Sequence, residues 1–311
     1  MTSLAAMAHY LPEPRLLVGT YLKSYGFTDT EIGIYERYFG FDEVRFDPDE
    51  SWFDQALAAA GRLTELRGAE HRVRYVIQAR TMPVATVAPD NPLHRLRDAL
   101  ALGHATTFCV NQHACASGLL AVNLAGKILA RDGDPEALAL VFVGEKSFTA
   151  TADYIAQTGV MGEGVAAVLV RTGGERNRMV GFASRMSGMS TLEDLETGIG
   201  GERYRDIYAN GLAAVIRGAV EAASLSIDDV DIILPHNANR LSWARVLKKL
   251  GIRGTNRLFL ETLPRLGHCF GADAFINYQD AHAQGRIREG DHYVMTAVGL
   301  CGTFSAMVFE H

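Results

Sequence analysis

NQHACASGLLAVNLAGKIL, residues 111–129, sets a cysteine ahead of a run of small apolar residues. The segment Gly118–Arg131 is long enough for about three to four helical turns, and its glycines and alanines let neighbouring elements approach closely. A helix in the middle of the molecule is expected there. Cys115 stands just before it, where unpaired N–H groups and the positive end of the helix dipole favour a thiolate. A free cysteine is also among the most buried residue types. Position alone therefore leaves a reactive role and a packing role open.

Outward from this helix, strands alternate with helices. Val73–Gln78, Ala139–Val143 and Val165–Val170 are short, β-branched and apolar, as buried strands are. Amphipathic helices are expected over Trp52–Arg67 and Pro92–Leu102. The stretch TGGERNR, residues 172–178, breaks the pattern and is the candidate boundary between two halves, 1–172 and 173–311. Beyond it, strands are read at Met179–Ser184, Ile232–Leu234, Tyr293–Val298 and Phe304–Phe309. Helices are read at Tyr204–Ala223, Leu241–Leu250 and Phe275–Gln284. Two α/β halves of similar length imply layered sheets covered by helices.

Composition narrows the function classes. The 311 residues carry a net charge of −6 and no basic run, which gives no footprint for nucleic acid or for an anionic membrane surface. Four cysteines in a chain of this length, none in a CxxC pair, form neither a disulfide scaffold nor a structural zinc site, and no metal is expected. The start, MTSLAAMAHYLPEPRLLV, is a poor signal peptide. No apolar run reaches the ~18–20 residues of a membrane span. A soluble cytoplasmic protein is expected.

Three further fragments give the cysteine company. HNANR, 236–240, follows a short strand and Pro235, so His236 is delivered at a strand end, where sites are commonly built. RLGHCFGADAFIN, 265–277, offers His268 and Asp273 in a glycine-rich turn before a helix. Asp273 there could equally cap that helix. AVGLCGTFSAM, 297–307, is a strand, a tight turn and a second strand. A thiol, histidines to move its proton or orient a carbonyl, and a turn supplying backbone N–H groups make up an acyl-transfer set.

In order and spacing these fragments resemble the ketoacyl synthase III branch of the thiolase superfamily. HYLPEPRLLV resembles the family's opening strand and turn, NQHACASG the segment of its nucleophilic cysteine, and DIILPHNANR with KKLGI its PHQAN histidine motif. VFVGEKS and MGEGVAAVLV are similar to its central strand and phenylalanine-glycine-aspartate-glycine-alanine turn, with Met161 and Glu163 substituted. GRIREGD and AVGLCGTFSAMVFE resemble its C-terminal segment. The resemblance implies a five-layered α-β-α-β-α fold of two pseudo-symmetric halves and a homodimer. It also implies an oxyanion hole from the backbone of Cys115 and of the Cys301–Gly302 turn. No permanently bound cofactor is implied; an acyl-carrier-protein phosphopantetheine or a coenzyme A thioester is the co-substrate.

The departures shape the expected activity. Where the family has Gly-Asn-Thr-Ser, this chain reads Gly267-His268-Cys269-Phe270, so the asparagine that helps stabilise an enolate is replaced by His268. Leu300 and Cys301 stand where glycines are expected, and the tryptophan that stacks on coenzyme A is missing from TDTEIGIYERYF, 28–39. The arginine expected after the histidine motif is absent at Leu241, with Arg240 adjacent; Asn237, Asn239 and Arg240 are the substrate-binding candidates, the two asparagines also shaping the loop. His268 with Asp273 resembles a divergent group from antibiotic biosynthesis that acylates hydroxyls or amines or selects starter units. A carboxylate behind an imidazole suits a base for an acceptor hydroxyl. The expected catalytic set is therefore Cys115, His236, His268 and Asp273, in an acyltransferase passing an acyl group to a hydroxyl or amine of a small molecule. The sequence inclines toward His268 as the base that discharges the acyl-enzyme, with His236 assisting, and does not decide between them. Decarboxylative carbon–carbon condensation stays open as the alternative.

Overall fold

The computed structural model describes residues 1–82, 91–146, 154–155, 158–187, 202–300 and 302–311. Among the described residues, nine strands form the main sheet: β1 (Thr2–Tyr10), β2 (Val73–Ala79), β3 (Thr106–Val110), β4 (Leu138–Val143), β5 (Val165–Thr172), β6 (Arg178–Met186), β7 (Ile232–Leu234), β8 (His292–Gly299) and β9 (Thr303–Glu310). Their spatial order is β7-β8-β9-β6-β1-β5-β4-β2-β3. The sheet is hinged at its middle, where β1 and β6 share the single register pair Ser3↔Arg178. Outward from that hinge each wing repeats one pattern. β1 runs antiparallel to β5, β5 antiparallel to β4, and β4 parallel to β2. On the other side β6 is antiparallel to β9, β9 antiparallel to β8, and β8 parallel to β7.

The hinge lets two wings fold over a shared core. α3 (Ser117–Asp132) and α6 (Asp273–Ala283) lie in one apolar cluster with inward residues of both wings, among them Val141 and Val168 from one and Met295 and Met307 from the other. A second cluster joins α4 (Glu202–Ala222) and α5 (Arg240–Leu250) to the outer face of the β6–β9 wing. A third packs α1 (Trp52–Gly61) and α2 (Pro92–Ala99) on the outer face of the other wing. The layers thus run helix, sheet, helix, sheet, helix. α3 and its leading turn, Ala114–Asp132, are long and apolar enough to cross a membrane by length and composition, contrary to the sequence reading. Most of that stretch is buried between the wings, which makes it a core helix.

Close approach at the centre depends on small residues. A Cβ on Gly118 would meet Val143 Cγ1 at 2.6 Å, and one on Gly126 would fall inside the Thr2 side chain. α3 therefore seats against the strands at a distance that a larger residue forbids. The helix expected to reach Arg67 ends at Gly61, and a short 3-10 turn (Thr64–Leu66) follows. α6 begins at Asp273, two residues before the expected Phe275.

Candidate active site

Cys115 sits in a 3-10 turn, Ala114–Ala116, that leads directly into α3. Ala114 holds φ +47°, a left-handed conformation that costs a non-glycine residue about 1 kcal/mol or more. That kink ends the approach from β3 and turns the thiol inward, where it is 3% exposed. Among the described residues the Cys115 N–H has no acceptor, so it remains available as a donor to a thioester oxygen. The Thr81 hydroxyl donates to Cys115 Sγ at 3.7 Å. Thr81 is in turn fixed by its own N–H, which donates to Glu145 Oε2 at 3.2 Å, and Glu145 pairs with Arg80 at 3.4 Å.

His268 reaches the same thiol from the opposite wing. Its N–H donates to Val160 O at 2.9 Å, and its carbonyl accepts from Gly162 N–H at 3.0 Å, so the backbone is clamped on both sides. The buried Glu163 steadies that clamp, taking Gln55 Nε2 at 3.0 Å and Lys146 Nζ at 3.1 Å. His268 Nδ1 pairs with Asp273 Oδ2, and the ring stands close enough to Cys115 to feel the sulfur's charge. With Nδ1 taken by the carboxylate, Nε2 is the nitrogen left for the sulfur. Asp273 accepts two more hydrogen bonds, from Asn237 N–H at 2.6 Å and Cys269 N–H at 2.7 Å. It stands at the first residue of α6, but its carboxylate orients the imidazole and does not cap the helix. A Cβ on Gly271 would come within 2.9 Å of Cys115 O; glycine here lets the two segments close.

His236 completes the cluster. It follows β7 and Pro235, its carbonyl accepts the Trp243 indole N–H at 2.9 Å, and its ring centroid lies 5.9 Å from that of His268. Nε2 is 2.8 Å from the Tyr208 hydroxyl, whereas the buried Nδ1 has no partner among the described residues.

The two imidazoles carry different charges. Burial by itself depresses His268, but the Asp273 carboxylate, aided by the Cys115 sulfur, outweighs it and lifts His268 from 6.5 to about 10. His268 is therefore an imidazolium at neutral pH. Burial pushes His236 well below 6.5, and the neighbouring His268 cation adds to the effect. His236 is neutral. A cation beside the thiol and a neutral base a ring away are the two proton states that acyl transfer through a cysteine requires.

The remaining candidates divide. The 299–302 turn does lie against the nucleophile segment, for a Cβ on Gly299 would be 2.3 Å from His113 O. Cys301 lies outside the described residues. Gly302 is corrected: its N–H closes the turn on Gly299 O at 3.0 Å and is not free for an oxyanion. The substrate-binding roles of Asn237 and Asn239 are also corrected. Asn237 Nδ2 donates to Gly267 O at 2.9 Å and Thr262 Oγ1 at 3.2 Å, while its Oδ1 accepts from Asn277 at 3.3 Å. Asn239 caps α5 through Ser242 N–H at 2.7 Å and donates to Thr158 O at 2.7 Å. Both amides hold the loop that presents His236. Arg240 is exposed, packs on Gly40, and lines a separate cavity away from the thiol.

A cavity of about 30 Å³ lies among Cys115, His236, His268, Tyr208, Val298 and Leu300. That is room for a water or a carbonyl oxygen. Beside it a cavity of about 570 Å³, walled by Phe27, Tyr35, Phe39 and Tyr154 with Arg205 and Arg245, shares Thr158 and Tyr208 with the small one. Thr81, Tyr208 and Arg245 escaped the reading of the sequence. Tyr208 takes its place in the apolar pattern of α4, and no spacing rule marks it.

The sequence and the fold have counterparts among known proteins. Residues 220–311 match the family model described as 3-oxoacyl-[acyl-carrier-protein] synthase III, C terminal. The whole chain superposes on the 3-oxoacyl-[acyl-carrier-protein] synthase III of Aquifex aeolicus VF5, with a TM-score of 0.80, 20% identity and 100% of each chain covered. Its fold is that of the ketoacyl synthase III enzymes. A curated ketoacyl synthase III from Sphingopyxis alaskensis is 28% identical over 285 residues, 85% of each chain. Another structural neighbour, the ChlB3 acyltransferase, has a TM-score of 0.84 and 18% identity, covering 99% of this chain and 97% of its own. The chain is thus similar to the ketoacyl synthase III enzymes, and the likeness in fold spans both wings of the sheet.

Proposed function

We propose that this ketoacyl synthase III-like protein is an acyltransferase. It takes an acyl group from a carrier-protein or coenzyme A thioester onto Cys115 and passes it to a hydroxyl or amine of a small acceptor. The observation that carries the reading is the placing of the two imidazoles: His268 is locked to Asp273, which raises it, while His236 is buried against Tyr208 at 2.8 Å and is depressed by that burial. In the first half-reaction the Cys115 thiolate, held by His268, attacks the donor carbonyl and the carrier thiolate leaves. In the second, neutral His236 takes the acceptor's proton as the acceptor attacks acyl-Cys115, and the electron pair of the broken C–S bond returns to the sulfur beside His268. The proton that His236 has gained is the one the next carrier thiolate needs on leaving. This assignment reverses the inclination of the sequence: His236, not His268, is the discharging base.

One feature supports ester or amide formation over condensation. The position expected to hold a neutral amide donor holds a histidine paired with a carboxylate. We place the activity in antibiotic or other secondary metabolism, in a cytoplasmic homodimer. Decarboxylative condensation is the second reading, favoured by the curated ketoacyl synthases that the sequence resembles. Intact mass after incubation with acyl-carrier and acyl-coenzyme A donors should show one acyl adduct, absent in Cys115→Ala. Discharge by alcohols or amines without carbon dioxide release from a malonyl carrier supports transfer. Carbon dioxide release coupled to a new carbon–carbon bond overturns it.

A further inference from the structure

We propose that Tyr208 is the proton relay of the acceptor half-reaction, linking the acceptor's hydroxyl or amine to His236. The inference rests on the acyltransferase reading above. Among the described residues the Tyr208 phenol, 2.8 Å from Nε2, is the sole hydrogen-bond partner of the His236 ring. His236 is 4% exposed and lines the thiol cavity itself, and the phenol is the hydrogen-bonded group, among the described residues, through which a proton can reach its Nε2. Tyr208 is also one of two residues, with Thr158, that wall both the small thiol cavity and the larger aromatic one. An acceptor seated in the larger cavity passes the phenol on its way to acyl-Cys115. The ring is itself fixed, tilted against His236 at 5.6 Å between centroids and edge-on to Phe304 at 6.5 Å.

The step balances within named groups. The acceptor's O–H or N–H bond breaks as its proton joins the Tyr208 oxygen. The phenol's own proton moves to His236 Nε2, so tyrosine ends as it began and His236 becomes the imidazolium. The new acyl C–O or C–N bond forms and the C–S bond breaks, leaving its electron pair on Cys115. A phenol serves better than a bare imidazole because it can reach into the shared wall of the cavities while His236 stays buried and neutral.

The test uses acetyl-Cys115 formed from the acetyl thioester of N-acetylcysteamine, followed by intact mass. Water is the minimal acceptor and needs a base; hydroxylamine attacks thioesters without one. In Tyr208→Phe, hydrolysis should slow at least ~10-fold, since base assistance is commonly worth 10²–10⁴. Loading and hydroxylamine discharge should stay within about twofold of wild type, which a merely structural role would not leave untouched. Unchanged hydrolysis in the variant, or an equal fall in all three rates, overturns the relay. So does a wild-type acetyl-enzyme stable to water yet cleared by hydroxylamine. A proton inventory on the unmodified protein gives a second measurement: two protons in flight bow the plot of hydrolysis rate against deuterium fraction, and a straight line overturns the relay. Failure of the wild type to form acetyl-Cys115 at all would instead strike the acyl-enzyme reading.

Discussion

Asp273→Asn tests the charge on which the site is built. The carboxylate accepts from His268 Nδ1, from Asn237 N–H at 2.6 Å and from Cys269 N–H at 2.7 Å. An amide keeps one acceptor oxygen, and either orientation turns its NH₂ group against one of these donors. With the anion gone, both raising influences of Asp273 are lost while burial still lowers the ring, so His268 falls from about 10. The cation next to Cys115 should then give up its proton more readily. A hydrogen bond involving a charged group contributes about 1.5–3 kcal/mol, so alkylation of Cys115 by iodoacetamide at pH 7 should slow ~10- to 100-fold. The deficit should shrink above pH ~9, where an ordinary thiol ionises unaided. Acyl loading should fall in parallel. A variant that alkylates within about threefold of wild type at pH 7 would refute the imidazolium–sulfur pairing.

Four further outcomes are expected. His236→Ala should load its first acyl group normally, because the resting, neutral His236 has no proton to give, and should accumulate acyl-Cys115, with discharge slowed ~10²-fold or more; a variant that cannot load once would make His236 essential to the first attack. Because His236 is depressed below 6.5, wild-type discharge should show no falling limb near pH 6.5, and its appearance would assign the base elsewhere. Thr81→Val should slow alkylation several-fold by removing one donor to Sγ, worth about 1 kcal/mol, and Thr81→Ser should restore it. Gly299→Ala forces a Cβ to within 2.3 Å of His113 O. Overpacking of that kind costs about 1–3 kcal/mol, to be read by chemical denaturation, and acyl loading should fall because the nucleophile turn must shift.

How much could be read in advance follows from what each residue must do. The interior strands β2, β4 and β5 are buried on both faces, so their apolar runs were legible. Strand β3, TTFCV, is an edge strand without a buried residue; its Thr, Phe and Val favour a strand, but it offers no buried apolar run to read. Strand β1 was missed beyond its last residues because Leu4-Ala5-Ala6 has weak strand preference; pairing with β5 along its length holds it extended. Cys115, His236 and His268 were legible because each sits in a motif whose shape the backbone needs. The state of each histidine was not, since it depends on Asp273 and burial converging from separate segments. Asn237 and Asn239 were misassigned for a related reason. A polar residue beside a catalytic histidine reads the same whether it binds substrate or carries the loop.

The opposed shifts of the two histidines also make the folded state respond to pH in two directions. His268 is raised in the fold, so its contribution to stability is fully present below 6.5 and is lost as pH climbs from there through about 10. His236 is depressed, so its contribution is present above 6.5 and is lost as pH falls below it, where the unfolded chain binds a proton that the fold refuses. Each histidine removes a different limb of the curve. Asp273→Asn should therefore flatten the alkaline limb of stability against pH while keeping the acid one. His236→Ala should flatten the acid limb, which denaturant midpoints from pH 5 to 10 would show. Were both variants to lose the same limb, the two rings would share one protonation state. The proton taken from the acceptor could then not be returned to the departing carrier, and the two-stroke chemistry proposed for Cys115 would fail with it.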